Sequence, residues 1–240
     1  MRNTMLILTA LLCAGPAGAT AIELAARHER GGRNCAGTLR FEDSQARWTP
    51  AKPSRRCRDL AWPYAEMQRL EMEDRRIVIT GYTDRRWRLG ADAHWNFRLA
   101  APAGDALYAF LRTKMDSRFA PRYAEKLASL EWSVAAKMFS GSFPSGNWGG
   151  EGTLEIGPDR IVFRSTKPGY SRTWLDSEID NVAVDPPFLL TLAVREGGRS
   201  VLRTFQLKRE LDNEKFDTLW RRLNRPRGLQ LLTDLEEHHR

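Results

Sequence analysis

The sequence predicts a mainly β protein with some α structure: two tandem units, each of about seven antiparallel strands closed by a C-terminal amphipathic helix. Three observations lead to that class. The chain states one pattern twice, with the second statement offset by 108 to 115 residues. Within each copy, short β-rich runs alternate with turns that carry glycine and proline. At the end of each copy the apolar period changes from strand-like to helix-like.

The self-alignment is collinear. Leu24-Ala25-Ala26-Arg27 matches Val134-Ala135-Ala136-Lys137, and Gly37-Thr38-Leu39 matches Gly152-Thr153-Leu154. Trp48 falls on Phe163, Pro53 on Pro168, and Trp62 on Trp174. Ile77-Val78-Ile79 aligns with Leu189-Leu190-Thr191 at an offset of 112, and Phe97-x-Leu99 with Phe205-x-Leu207. Leu107, Phe110 and Leu111 align with Phe216, Leu219 and Trp220. Internal repetition of this kind marks two copies of one structural unit. The expected division is a first unit over 22–115, a linker over 116–131, a second unit over 132–225 and a tail over 226–240.

The second copy defines the elements best. TLEI, RIVFRS, SRTW, NVAV, FLLTLAV and VLRTFQL read as strands. Gly-Pro-Asp at 157–159, Lys-Pro-Gly at 167–169, Asp-Pro-Pro at 185–187 and Glu-Gly-Gly at 196–198 read as the turns between them. In LDNEKFDTLWRRLN, Phe216, Leu219, Trp220 and Leu223 sit at i, i+3, i+4 and i+7, one face of a helix. Asp212 or Asn213 caps its start, Arg221 and Arg222 suit the negative end of its dipole, and Pro226 stops it. The first copy closes in the same way, with Asp105 as the cap and Leu107, Phe110 and Leu111 as the apolar face. In the linker, Pro121 followed by RYAEKLASL reads as a short helix.

The N-terminal stretch MRNTMLILTALLCAGPAGATA has the parts of a secretory leader over 1–21: Arg2, a short apolar core from Met5 to Cys13, and small-x-small sites at Ala17–Ala21. That core is too short for a transmembrane helix, which takes roughly 20 apolar residues. The expected location is the periplasm or the exterior. Cleavage leaves Cys35 and Cys57, an even count in an oxidising compartment, and a Cys35–Cys57 disulfide is expected.

The order of elements, with a tryptophan opening a W-x4-I strand (Trp174 to Ile179, and Trp62 to Met67), resembles the bacterial pleckstrin-homology-like and GRAM-like domains. GTLEI followed by RIVF is similar to the central hairpin of that superfamily. The resemblance covers nearly all of each copy. It implies a fold that hosts lipid, phosphopeptide and protein binding as well as scaffolding. In the lipid-binding members, the loop between the first two strands often holds inositol phosphates with basic residues. Arg27, Arg30 and Arg33 in RHERGGRNC are the matching charges.

The copy-two counterpart of that loop, MFSGSFPSGNWGGEG, carries Phe139, Phe143 and Trp148 among glycines. Large apolar groups on a loop mark a contact, either with the other unit or with an outside partner. A third stretch, YTDRRWRLGADAHWNFRL, mixes arginines with Trp87 and Trp95. A hairpin with charges out and tryptophans in accounts for it, and export removes most nucleic-acid partners.

Nothing in the chain spells an active site. None of the four histidines has metal-ligand spacing with a partner, and no G-x-S-x-G, H-E-x-x-H or P-loop pattern occurs. No cofactor or metal is expected. A net charge of +8 and a pI near 9.7 draw the protein to acidic partners. A composition of 42% hydrophobic and 28% charged residues excludes a disordered chain. The expected role is a non-enzymatic binding or scaffolding protein of the cell envelope or exterior, acting through a protein or an anionic envelope component. The alternative is an envelope hydrolase with its site at the cleft between the units.

Overall fold

The computed structural model describes residues 21–231, apart from 31–32, 86–87, 141–146 and 186–187. The expected leader, over 1–21, lies almost wholly outside the described residues. The first sheet is built from β1 (Ile22–Arg30), β2 (Arg33–Phe41), β3 (Gln45–Pro50), β4 (Leu60–Pro63), β5 (Met67–Glu73), β6 (Arg76–Arg85) and β7 (Arg88–Leu99). Helix α1 (Gly104–Lys114) and strand β8 (Phe119–Arg122) follow. The second comprises β9 (Trp132–Ser140), β10 (Asn147–Ile156), β11 (Arg160–Ser165), β12 (Arg172–Leu175), β13 (Ile179–Asp185), β14 (Leu189–Glu196) and β15 (Arg199–Leu207), followed by α2 (Asn213–Asn224).

The runs form strands because their apolar residues alternate with polar ones. In QARWTP, Ala46, Trp48 and Pro50 turn inward; in LLTLAVRE, Leu190, Leu192 and Val194 do. The strand orders are β4-β3-β2-β1-β7-β6-β5-β8 and β12-β11-β10-β9-β15-β14-β13. The two sequences of neighbours are therefore the same, except that β8 is added to the first sheet. In each sheet the first strand pairs antiparallel with the seventh, β1 with β7 and β9 with β15. Two separate apolar clusters result. Leu107, Tyr108 and Leu111 of α1 are buried in the first, and Leu219 and Leu223 of α2 in the second.

The same aromatic trio sits at the heart of each cluster. Phe97 lies 5.2 Å from Trp48 and 5.8 Å from Trp62 between ring centroids. Phe205 lies 5.2 Å from Phe163 and 6.1 Å from Trp174. These are the pairs that the self-alignment equates. At one strand that alignment slips by a residue. Ile77 pairs with Phe97 and Leu190 with Phe205, so Ile77 corresponds to Leu190 rather than Leu189. A slip of one reverses which face each side chain takes, and the burial of Ile77, Ile79, Leu190 and Leu192 fixes the register.

Two expectations about local structure need correction. Residues 119–122 form a strand, not part of a helical linker: Phe119–Arg122 pairs parallel with Leu70–Glu73. Pro121 is tolerated there because it occupies an edge. Asp105 does not cap α1, whose N-cap is Ala103 without a side-chain bond. Asp105 instead accepts from the Tyr123 hydroxyl at 2.9 Å and from the Lys126 amide at 3.2 Å, tying the linker down. On α2 the cap is Asp212, which accepts from the Glu214 amide. Of its apolar face, Leu219 and Leu223 are buried, whereas Phe216 and Trp220 are half-buried at the rim of the cluster.

A further repeated device follows each helix. The Arg118 guanidinium donates to the carbonyls of Tyr64, Ala65 and Met67 at 3.0–3.3 Å. Arg227 donates likewise to the carbonyls of Ile179 and Asp180. Each arginine fastens the chain leaving the helix to the start of an equivalent strand.

Cys35, on β2, is bonded to Cys57 in the segment before β4, with the Cα atoms 5.9 Å apart. Cys57 reaches back because residues 54–57 form a tight turn, with the Ser54 amide donating to the Cys57 carbonyl at 2.7 Å and the Cys57 amide to Ser54 Oγ at 3.0 Å. Replacing both cysteines by alanine should cost about 3 kcal/mol, the loop entropy that a crosslink of this span removes from the unfolded chain. Urea unfolding of the oxidised protein and the double variant measures it, and equal midpoints would refute the estimate.

Candidate anion-binding cleft

The two units lie side by side because the linker is stitched to both. β8 is the edge of the first sheet, and the chain beyond it runs along β11 and β12. The Glu125 amide donates to Thr173 Oγ1 at 2.9 Å, and that hydroxyl donates to the Tyr123 carbonyl at 3.1 Å. Arg164 donates to the carbonyls of Ala124 and Glu125 at 3.2 and 3.1 Å, and Arg160 pairs with the Glu125 carboxylate. Among the described residues, one ion pair joins the units directly: Arg112 of α1 meets Glu178 at 2.9 Å and also donates to the Tyr108 hydroxyl at 2.8 Å.

Two cavities open along this seam. The first, about 680 Å³, is walled by the β5–β6 turn, the end of β7 and the β11–β12 loop. The second, about 750 Å³, lies between β8 on one side and β12 with the β14–β15 hairpin on the other. Arg122 lines both. Seven arginines and three carboxylates line the second cavity, a net charge of +4. Six cationic and three anionic side chains line the first, a net charge of +3.

The deepest charges belong to the second cavity. Glu196 accepts from Arg203 Nε at 3.0 Å, from a second Arg203 nitrogen, and from Trp174 Nε1 at 2.9 Å. Arg172 lies 3.8 Å from the same carboxylate and donates to the carbonyls of Gly169 and Ser171 at 2.9 and 2.7 Å. The side chains of Arg172 and Arg203 are only 12% and 14% exposed, so two nearly buried guanidinium groups share one carboxylate. Burial pulls the Arg172 pKa down to about 10, against the support of Glu196 and with Arg203 and Arg122 adding repulsion. A buried positive charge without its own counter-ion is costly, and a bound anion relieves it.

Glu196 is held below its ordinary pKa: burial pushes it up, but the hydrogen bonds and charge of Arg203, with Arg172 and Trp174, outweigh burial. A carboxylate with a depressed folded-state pKa adds stability that is present above its unfolded value, about 4.3, and lost as pH falls through the folded value. The difference in unfolding midpoint between the wild type and Glu196→Gln should be largest above pH 5 and narrow steadily below pH 4. A difference that stays constant from pH 7 to pH 3 would contradict this account.

The residues singled out from sequence fall elsewhere. RHERGGRNC is mostly strand, not loop. Arg27 is an exposed residue of β1 opposite Ala36 and Arg98, and Arg30 pairs with Arg33 at the hairpin end. The side chains of Arg30 and Arg33 lie outside those described. Glu29 and Arg98, neighbours of Arg27, line the first cavity. Phe139 is 2% exposed and so already covered within the chain. Phe143 lies outside the described residues, and Trp148 is placed only by its backbone pairing with Phe139. His28 is buried and stacked on Phe97 at 4.9 Å, a core histidine. Among the described residues, no group of His, Cys, Asp or Glu is arranged to hold a metal, and no helix is long and apolar enough to cross a membrane.

The sequence reading missed Arg172 and Arg203, yet a signal was present. In VLRTFQL, Arg203 shares the inward phase with Val201, Phe205 and Leu207; in RTWL, Arg172 shares it with Trp174. An arginine in the apolar phase of a strand has to find a buried partner or a ligand.

No family model matches the chain, and no curated protein does. Among solved structures it is similar to one of the Spt16D–Pob3N heterodimer, at 11% identity and a TM-score of 0.32, over 78% of this chain and 96% of that one, a likeness too slight to argue from.

Proposed function

We propose that this is an exported, non-enzymatic binding protein of two pleckstrin-homology-like units, each closed by its C-terminal helix, and that its ligand site is the cationic cleft between them. The topological half of this reading rests on the strand order, which recurs in both sheets with a helix after the seventh strand. Export is supported by the leader-like N-terminus and by the Cys35–Cys57 bridge, a bond of oxidising compartments. The observation that carries the binding role is the shared carboxylate: Arg172 and Arg203, both nearly buried, hold Glu196 between them and face the cleft with a surplus positive charge. Guanidinium forks recognise phosphate and carboxylate oxygens in pairs. The carboxylates of the second cavity, Asp116, Glu178 and Glu196, are each paired with an arginine, which favours binding over acid–base chemistry there.

Isothermal titration with tripolyphosphate at low salt tests the site. The wild type should bind it, and Arg172→Gln with Arg203→Gln should weaken binding by more than about tenfold, as loss of charge-assisted hydrogen bonds does. Unchanged affinity in a variant whose circular dichroism matches the wild type would move the site out of the cleft.

A further inference from the structure

The charges of the cleft do not form one compact cluster. They are spread over two cavities that meet at Arg122, and the lining of both together carries twelve cationic against six anionic side chains. That surplus accounts for most of the chain's net charge of +8. Exposed cations without an ion pair among the described residues stand along both cavities: Arg75, Arg76, Arg98 and Lys167 in the first and Arg199 in the second. Among the described residues, Arg122, at the junction, has ion pairs only at 3.6 Å, to Glu71 and Glu73. Arg172 and Arg203 share a single partner. A small anion neutralises one of these positions and leaves the others.

We infer that the cleft binds a linear chain of phosphate groups, which runs from the first cavity over Arg122 into the second; the inference rests on the reading of the cleft as an anion site. Phosphate suits it better than a carboxylated sugar polymer because the guanidinium groups crowd: Arg172 and Arg203 meet one carboxylate, and Arg122 is near enough to disfavour the Arg172 charge. A polymer with one charge per sugar ring spaces its charges too widely for that. A nucleic acid would add bases that need aromatic faces to stack on. The aromatic rings lining the cavities are Phe119 and Trp174, 7% and 1% exposed, and Tyr123, which lies 5.5 Å from Tyr108 between ring centroids and bonds Asp105. A flat bilayer is disfavoured as well, since Arg172 and Arg203 lie below the rim at 12% and 14% exposure.

The test compares orthophosphate, tripolyphosphate and long-chain inorganic polyphosphate, titrated into the full mature chain over a range of salt. Affinity should rise with chain length, and the long chain should show the steepest salt dependence because it releases the most counter-ions. Arg98→Ala and Arg199→Ala, at exposed positions, should each weaken the long chain by about threefold. Each should also reduce its slope of log affinity against log salt by about one. Tripolyphosphate, too short to span both cavities, should be weakened less than the long chain in each variant. If tripolyphosphate binds as tightly as the long chain, or if either end variant leaves the long chain untouched, the track is refuted while the anion site stands. Equal binding of a single-stranded oligonucleotide of the same charge would overturn the choice of ligand. Co-sedimentation with vesicles of anionic lipid, lost in the Arg172→Gln and Arg203→Gln variant, would overturn it in favour of a headgroup. Failure of every phosphate compound to bind would remove the inference together with the proposed function beneath it.

Discussion

Replacing Trp174 with alanine should lower stability by about 3–5 kcal/mol, the range for a large aromatic removed from a core. Trp174 is 1% exposed, packs edge-on against Phe205, and is the inward tryptophan of β12. Its indole N–H also donates to Glu196, so the truncation removes one of the bonds that orient the carboxylate between Arg172 and Arg203. Trp174→Phe separates the two roles. It keeps most of the volume and should recover the larger part of the stability, while tripolyphosphate binding stays weakened because Glu196 has lost its indole donor. Denaturant unfolding and calorimetric titration of both variants measure these effects. A loss below about 1 kcal/mol for alanine would mean that the side chain is not part of the core.

Gly152→Ala should cost about 2–3 kcal/mol, at the upper end of overpacking because the obstacle is backbone. A Cβ at 152 would stand 2.2 Å from the Arg164 carbonyl oxygen and 2.8 Å from the Ser165 Cα. A Cβ at Gly37 would stand 2.2 Å from the Thr49 carbonyl oxygen and 2.8 Å from the Pro50 Cα, with Trp48 Cη2 at 2.9 Å. Both glycines pair with the last residue of the neighbouring strand, Gly152 with Ser165 and Gly37 with Pro50. The repeated Gly-Thr-Leu therefore has a steric cause: neither site has room for a side chain, and a carbonyl in a ladder cannot rotate away as a side chain would. The two sites lie in separate sheets, so the losses of Gly37→Ala and Gly152→Ala should add within about 0.5 kcal/mol in the double variant. Thermal melts of the three variants read this directly, and a change under about 0.5 kcal/mol for Gly152→Ala would show that the strands part easily.

Much of the architecture was legible because it rests on local alternation. Period-two apolar runs, turn residues between them and a helical period at each end place the strands, α1 and α2 close to where the structure has them. The repeat made this firmer, since Trp62 and Trp174, or Phe97 and Phe205, could be equated before any contact was known. Local pattern fails where a choice depends on what lies across the chain. The slip between Ile77 and Leu189 is of this kind, because both apolar runs tolerate either phase until a neighbouring strand selects one. So is β8: Phe119–Arg122 has no strand pattern of its own and becomes one by pairing with the β5 edge, which its counterpart β13 does not receive. Asp105 stands at a helix start as a cap would, yet the linker's Tyr123 and Lys126 compete for its carboxylate and win it. The cleft belongs wholly to tertiary structure. Arg172, Arg203 and Glu196 meet within the second unit, from β12, β15 and β14, and the docking of the linker onto both sheets sets Arg122 of β8 on the wall of the same cavity. The sequence by itself determined two β units with buried aromatic centres and a positive surplus. Where that surplus concentrates was decided by packing, because charge is additive along a chain but its field depends on which residues end up facing each other across a gap that water leaves only partly screened.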